Sequence, residues 1–96
     1  MINLDKYKGF EWDKGNIDKS YEKHGITPNE SEEAFLDEEA LILRDITHSS
    51  RVEQRYILIG KNRSEKLLFV VFTTRGKKIR IISARAANKK EEKQYV

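Results

Sequence analysis

Apolar and polar positions follow two different periods along the chain, and the period changes near residue 40. Phe10–Trp12 is an aromatic-rich run that predicts a short strand. Asp13 can then cap a helix over about residues 14–24. The helix itself is predicted from side chains that recur four and three positions apart and so share one face. Gly25 ends this helix, since glycine readily adopts positive φ. The shared face is formed by Ile17, Tyr21 and His24.

A second helix begins at a capping sequence. Thr27 provides the cap, Pro28 fits the first helical position, and Glu30 completes a capping box. Acidic residues in the first turn complement the positive end of the helix dipole. This helix runs to about Leu36 and directs two side chains toward the core, Ala34 and Phe35.

The second half of the chain has the period of β-strands. Gly60 and Gly76 are turn residues for two short connections, at residues 61–66 and 74–78. Strands joined so closely are antiparallel neighbours, which predicts a meander. The run Leu67–Phe72 is apolar on both faces and is therefore expected at the centre of the sheet, with both faces covered. The predicted strands are Ala40–Arg44, Arg55–Ile59, Leu67–Thr73 and Ile79–Arg85.

A second capping box, Asn88–Glu91, opens a C-terminal helix that ends near Tyr95. The predicted order is therefore β-α-α-β-β-β-β-α, an α+β fold with a four-stranded antiparallel meander and a short N-terminal strand. We expect one domain spanning residues 1–96, because chains divide only beyond roughly 250–300 residues.

Composition limits both the compartment and the chemistry. The chain has no cysteine, which excludes disulfides and thiolate metal sites and is typical of a reducing compartment. The sequence has neither a signal-peptide pattern nor an apolar run of the ~20 residues that span a membrane, so we expect a cytoplasmic protein. The two histidines lack metal-ligand spacing, and no Gly-rich phosphate loop or nucleophile elbow is present. Classical hydrolases and nucleotide-binding proteins are therefore disfavoured.

Charge is distributed unevenly between the two halves. Residues 1–50 hold 6 basic and 12 acidic residues, a net of −6, whereas residues 51–96 hold 13 basic and 4 acidic residues, a net of +9. A basic half attracts a polyanion or an acidic partner. A solvated surface of ion pairs has the same composition, so charge alone leaves both interpretations open.

Three arginines and one histidine are candidates for chemistry. Arg75 lies in a turn, and strand alternation points Arg80 away from the isoleucines on either side of it. His48 lies in a polar loop, where a histidine can act in catalysis. His24 lies at a helix end, and the alternative to a catalytic role is a structural one, in which the helix dipole favours the histidine. The alternatives for the arginines are an exposed sheet position for Arg80 and a structural ion pair for Arg85. By the same alternation, Arg85 is expected on the face of Ile79, Ile81 and Ser83.

Several short segments occur in a fixed order that resembles the BrnT family of bacterial toxins, which are paired in operons with BrnA antitoxins. The resemblance covers about residues 10–95, and the final strand is its most specific part. The segments are Phe10-Glu11-Trp12-Asp13, Lys23-His24-Gly25, Glu33-Ala34-Phe35, Arg55-Tyr56, Ile59-Gly60, Thr73-Thr74-Arg75-Gly76, Ile79-Arg80-Ile81-Ile82-Ser83-Ala84-Arg85, Glu91 and Tyr95.

The resemblance implies a fold like that of the RelE ribonuclease toxins, and an endoribonuclease that inhibits translation without a metal or cofactor. It also implies neutralisation by a BrnA-type antitoxin, which itself binds operator DNA. RNA carries its own nucleophile, the 2′-hydroxyl, so the protein must align the chain, move two protons and stabilise charge on phosphorus. Arginine suits the last task. The expected catalytic residues are Arg80, Arg85, Arg75, Glu53 and His48, with Lys23 and His24 as further candidates for proton transfer. The expected RNA contacts are Lys23, Arg55, Lys89 and Lys90.

Two other functions stay open. A non-catalytic module could hold RNA or an acidic protein with its basic half, which the lack of an obvious acid–base pair favours; the clustered arginines favour the toxin. The third is an interaction protein without a nucleic-acid role. For the toxin we expect the antitoxin to cover part of the sheet over residues 67–85, since three short helices cover little of Leu67–Phe72.

Overall fold

The computed structural model describes residues 7–12 and 25–95 of the chain, and they form one five-stranded sheet with two helices. The helix predicted over residues 14–24 lies outside the described residues, together with Asp13, Lys23 and His24. Neither described helix has the length and apolar character that a membrane crossing requires. The elements are β1 Phe10–Trp12, α1 Pro28–Ala34, β2 Leu41–Arg44, β3 Arg55–Lys61, β4 Leu67–Arg75, β5 Lys78–Ala86 and α2 Lys89–Tyr95.

The sheet confirms the predicted meander and adds one pairing that the sequence pattern did not predict. Its strand order is β1-β5-β4-β3-β2, with β2 to β5 antiparallel to their chain neighbours. β1 joins the far edge in parallel with β5, with Phe10 opposite Ile79. β4 is the central strand, as its apolar run predicted.

One face of the sheet forms the core together with α1. The predicted capping box is present, because Thr27 Oγ1 accepts from the backbone N–H of Glu30 at 3.2 Å and Glu30 Oε1 accepts from that of Thr27 at 3.1 Å. The Phe35 ring meets the buried Phe72 ring edge-on, with centroids 5.0 Å apart. The buried apolar side chains on this side include Ala34, Leu58, Leu68, Val70, Phe72, Ile79, Ile81 and Ala84.

The two glycines expected in turns have different roles. Gly76 has φ +60° in the tight turn between β4 and β5, as predicted. Gly60 lies inside β3, so its assignment to a turn was wrong. A Cβ atom built on Gly60 would lie 2.8 Å from the carbonyl oxygen of Ala34. Glycine is needed there because the strand backbone closely approaches the end of α1.

A β-bulge in β5 corrects the predicted direction of Arg85. Phe72 pairs with Ile81 while Val71 pairs with Ser83, so Ile82 is the extra residue. The bulge reverses the alternation beyond it, and Ala84 joins the core in place of Ser83. Arg85 therefore lies on the same face of the sheet as Arg80, opposite the face of Ile79 and Ile81.

The described residues cover the second face of the sheet only in part. α2 packs against β3 and lies over one end of this face, above the fully buried Ile59. Its capping box is present, because Asn88 Oδ1 accepts from the N–H of Glu91 and Glu91 Oε1 accepts from that of Asn88, each at 2.9 Å. At the other end of α2, Tyr95 Oη donates to Asp37 Oδ2 at 2.5 Å. Beyond α2, no further helix of the described residues covers this face.

Candidate active site

A groove of about 440 Å³ opens on the second face of the sheet, between α2 and the loop that joins β2 to β3. Its floor is apolar and comes from the three inner strands, whereas its rim is polar and carries three of the candidate residues. The floor is formed by Ile57, Phe69, Val71 and Ile82, and the rim by Asp45, Thr47, His48, Arg55, Ser83 and Arg85.

Arg85 is held in place by both the floor and α2. Its guanidinium carbon lies 4.1 Å from the centroid of the Phe69 ring, in the geometry of a cation–π contact. Its two terminal nitrogens donate to the two carboxylate oxygens of Glu91, each at 2.7 Å. The ion pair considered from the sequence is thus present. The hydrogen bonds to Glu91 raise the pKa of Arg85 further above its usual value, so the side chain stays charged.

His48 forms a pair with Asp45, a residue that the sequence analysis missed. Nδ1 of His48 lies 3.1 and 3.0 Å from the two carboxylate oxygens of Asp45. The Asp45 side chain is 12% exposed and that of His48 is 66% exposed, so the carboxylate lies beneath the ring. An Nδ1–H donated to this carboxylate leaves Nε2 with a free lone pair. The sequence contains one signal for this pair, because Asp45 and His48 are three positions apart and can meet within one turn.

Arg55 forms the third pair in the groove. Its Nε donates to Glu53 Oε1 at 2.8 Å. The loop behind it is rigidly bonded, because Ser49 Oγ accepts from the Arg55 N–H at 2.9 Å and donates to the Asp45 carbonyl at 2.6 Å. His48 and Arg55 are therefore positioned by one hydrogen-bonded loop. Glu53 contacts the groove only through Arg55.

The other candidates lie outside the groove. Arg80, on the same sheet face, has Nη1 3.9 Å from Glu11 Oε1 on β1. Arg75 is exposed at the hairpin end of β4, opposite Lys78. The structure therefore brings His48, Arg55 and Arg85 together but does not bring Arg75 to them. The remaining basic candidates, Lys89 and Lys90, are exposed in the first turn of α2.

Two carboxylates fix α2 beside the groove. Burial raises the pKa of Asp37, but hydrogen bonds from Tyr95 and from the backbone N–H groups of Lys61 and Glu39 outweigh burial and hold this pKa below its usual value. Burial likewise raises the pKa of Glu91, and hydrogen bonds from Arg85 and the Asn88 backbone reverse that effect. The hydrogen bond to Asp37 raises the pKa of Tyr95 to about 12.

These shifts predict how docking of α2 depends on pH. Because Asp37 and Glu91 have lowered pKa values in the folded state, their contribution is present at neutral pH. It is lost as the pH falls below about 4, the range in which free carboxylates titrate. Tyr95 has a raised pKa, so its contribution is lost as the pH rises through about 12. Amide NMR signals of residues 89–95, followed against pH, measure the docking.

The Tyr95→Phe variant is the control for this titration. It removes one donor from Asp37, so the acid midpoint of the α2 signals should move upward. Signals of β4 should stay unchanged over the same step. Signals of α2 that remain native well below pH 3 would contradict the predicted role of the carboxylates.

The described residues contain no group of three or more His, Cys, Asp or Glu side chains arranged to hold a metal ion. What they do contain is a sheet with one face filled by a helix and the other open beneath paired basic side chains. This arrangement defines a small α+β protein with a basic groove.

Comparison with known proteins identifies the family. The model of the ribonuclease toxin BrnT of type II toxin–antitoxin systems matches residues 12–91, and the chain belongs to this family. The resemblance seen in the sequence is thereby confirmed. The 1.1 Å crystal structure of the Brucella abortus ribonuclease toxin BrnT is similar in fold, with a TM-score of 0.64 and 23% identity over 84% of this chain and 97% of that one. A comparison with curated proteins gave no match.

Proposed function

We propose that this protein is a metal-independent endoribonuclease that cleaves RNA in the groove and so inhibits translation. The observation that carries the proposal is the convergence of His48, Arg55 and Arg85 on one open groove. Membership of a family of ribonuclease toxins supports it. We extend the proposal to a fold of the RelE type, a single domain over residues 1–96 and a cytoplasmic location.

The proposed reaction uses the 2′-hydroxyl of the RNA as the nucleophile. Nε2 of His48 takes the hydroxyl proton while the 2′-oxygen attacks the adjacent phosphorus. The P–O bond to the 5′-oxygen then breaks, which gives a 2′,3′-cyclic phosphate and a 5′-hydroxyl. The proton for this leaving oxygen comes from a second group, for which Glu53, Lys23 and His24 remain candidates.

Arginine supplies the charge stabilisation in this scheme. Glu91 occupies the Nη1/Nη2 edge of the Arg85 guanidinium, and the Nε–H and the second N–H of Nη2 form the other edge, which matches two phosphate oxygens. Arg55 faces the same groove. Both stabilise the charge that develops on the pentacovalent phosphate. Flanking phosphates would be bound by the basic candidates that lie outside the groove, which are Arg75, Arg80, Lys89 and Lys90. Lys23 stays a further candidate from the sequence.

The proposed partner is an antitoxin, since the family belongs to type II toxin–antitoxin systems. We propose an antitoxin of the BrnA type, which binds operator DNA and forms a higher-order complex with the toxin. It would cover the sheet over residues 67–85 and hide the groove. The net charge of +9 in residues 51–96 would attract acidic segments of such a partner.

A non-catalytic binding module is the second candidate, and one observation favours it. Each groove residue already has a carboxylate partner within the protein: Asp45 for His48, Glu53 for Arg55 and Glu91 for Arg85. Because these charges are already paired within the protein, the side chains can have a purely structural or binding role. RNA binding without cleavage would identify this alternative.

The deciding experiment incubates the purified protein with RNA in the presence of EDTA. We expect cleavage to persist and to yield 2′,3′-cyclic phosphate ends. RNA binding should weaken steeply as salt rises, because each neutralised phosphate releases counterions. His48→Ala should remove cleavage and leave most of the binding, and Arg63→Ala, an exposed site remote from the groove, is the matched control. Activity lost in EDTA and restored by a divalent ion would overturn the proposed mechanism.

A further inference from the structure

Exposed apolar side chains are concentrated in one stretch of the chain, from the end of β2 into the loop that leads to β3. Among the described residues, four large apolar side chains are exposed, and three of them fall within ten positions of the chain. Ile46 is 79% exposed and Val52 is 96% exposed. Single exposed apolar residues are ordinary, but a cluster of them marks an interaction surface. The three are Leu43, Ile46 and Val52.

Two arginines line a cavity in this part of the chain, and neither has a carboxylate partner among the residues that the structure describes. Arg44 donates to the side-chain oxygen of Gln54, which is a neutral acceptor. Arg51 makes no hydrogen bond or ion pair in the structure as described. A cavity of about 410 Å³ between them has no acidic residue in its lining, which consists of Arg44, Ile46, Ser49, Ser50, Arg51 and Gln54.

The cavity differs from the groove in whether its arginines have carboxylate partners. Arg55 and Arg85 in the groove each pair with a carboxylate, whereas no carboxylate of the described residues pairs with the two guanidinium groups at the cavity. A carboxylate of a partner molecule would complement this charge.

β2 also presents an unpaired edge. It is the outermost strand of the sheet, and only β3 pairs with it among the residues that the structure describes. No described strand pairs with the outer backbone groups of Leu41–Arg44, so they are candidates for pairing with a strand of a partner. Strand addition of this kind provides affinity through backbone hydrogen bonds, and side-chain pockets provide specificity.

We propose that the antitoxin adds an extended acidic and apolar segment along the outer edge of β2. In this complex a carboxylate lies between Arg44 and Arg51, and an apolar side chain packs against Ile46 and Val52. The inference rests on the proposed function, in that it takes the partner to be the antitoxin. It identifies an anchoring site separate from the groove.

A protein fits this surface better than RNA does. A phosphate backbone would pair with the two arginines but would leave Ile46 and Val52 exposed to water. An apolar side chain of a protein segment removes that surface from water, at roughly 25 cal/mol per Å². The arginines of this surface need carboxylates and its apolar side chains need apolar contacts, so the partner that fits carries both kinds of group.

The site also adjoins the catalytic groove through one loop. Asp45 and His48 line the groove, while Ile46 and Ser49 line the cavity. Neighbouring residues of the same loop therefore line the two sites. A segment bound at the cavity holds the His48 loop and places the rest of the antitoxin beside the groove.

The test measures the affinity of the purified antitoxin, encoded beside the toxin gene, for variants of the full-length toxin by calorimetry. Arg51→Glu and Ile46→Asp should each weaken binding by roughly 30-fold or more, the scale of an interface hot spot. Leu36→Asp is the matched control, because Leu36 is 69% exposed after α1 and away from this surface. Its affinity should equal that of the wild type. Circular dichroism checks that each variant folds.

RNA cleavage by the free variants provides the second measurement. Arg51→Glu should cleave at the wild-type rate, because Arg51 is not part of the groove. Reduced RNA binding with unchanged antitoxin affinity would show an RNA surface and overturn the inference, as would a wild-type toxin that binds no antitoxin. If the variants lose antitoxin binding while even the wild type leaves RNA intact, the inference stands and the proposed ribonuclease activity fails.

Discussion

Replacement of Arg85 by alanine is expected to lower the rate of RNA cleavage by roughly 10²–10³-fold, the usual effect of removing one charge-stabilising donor. The side chain lies over the Phe69 ring and is clamped by Glu91. It therefore reaches the groove in a fixed orientation, without the entropy loss of ordering a free arginine. Single-turnover cleavage of an RNA oligonucleotide measures the effect, and growth after induced expression measures it in cells.

Two further variants separate the chemistry from the structural role of Arg85. Arg85→Lys keeps the charge but loses the planar fork, so it should recover only part of the rate. Arg85→Ala also leaves Glu91 without its partner, which loosens α2. The double variant Arg85→Ala/Glu91→Gln removes that unpaired charge and should remain as inactive as the single one. Arg80→Ala should also relieve toxicity, and the assignment of these arginines would be refuted if both Arg85→Ala and Arg80→Ala fold and keep full toxicity.

Replacement of Phe72 by alanine is expected to reduce the free energy of unfolding by about 3–5 kcal/mol. Phe72 is fully buried and contacts two other rings, with Phe35 edge-on at 5.0 Å and Tyr56 stacked at 5.4 Å between centroids. Domains are stable by only about 5–15 kcal/mol in total. This one change should therefore leave much of the protein unfolded at 37 °C and abolish toxicity without touching the groove.

Denaturant titration of the wild type and two variants tests this expectation. Leu36→Ala is the comparison, because an equally apolar but 69% exposed side chain should cost less than about 0.5 kcal/mol. A Phe72→Ala protein whose midpoint matches that of Leu36→Ala would show that the core collapses around the lost ring. It would then contradict the rigid packing that the three rings indicate.

The elements of this fold were predictable where short-range chemistry determines them. Both described capping boxes, at Thr27 and Asn88, follow from residues three positions apart, and the meander follows from short connections. The parallel pairing of β1 with β5 joins residues about 70 positions apart, which no local pattern encodes. Gly60 resembled a turn residue for the same reason, because its need for space arises from α1 and not from its neighbours in sequence.

The candidate site was predictable only as a set of residue types. Basic side chains in the last strands were found from sequence, but their partners were not. Asp45, Glu91 and Phe69 became part of the site only through the fold, since each holds a groove residue by a contact in space. The direction of Arg85 was predicted wrongly because strand alternation assumes an unbroken ladder, and one extra residue reverses it.

That extra residue also determines where this strand can change length during evolution. Loss of Ile82 alone would remove the bulge and leave Ser83, Ala84 and Arg85 opposite the same residues of β4, so the core and the groove would both keep their side chains. An insertion of one residue elsewhere in β5 has no such relief, because it would turn Arg85 toward the apolar core unless a second bulge absorbed it. Functional relatives should therefore tolerate the loss of one residue at the position of Ile82 more readily than a one-residue insertion elsewhere in β5.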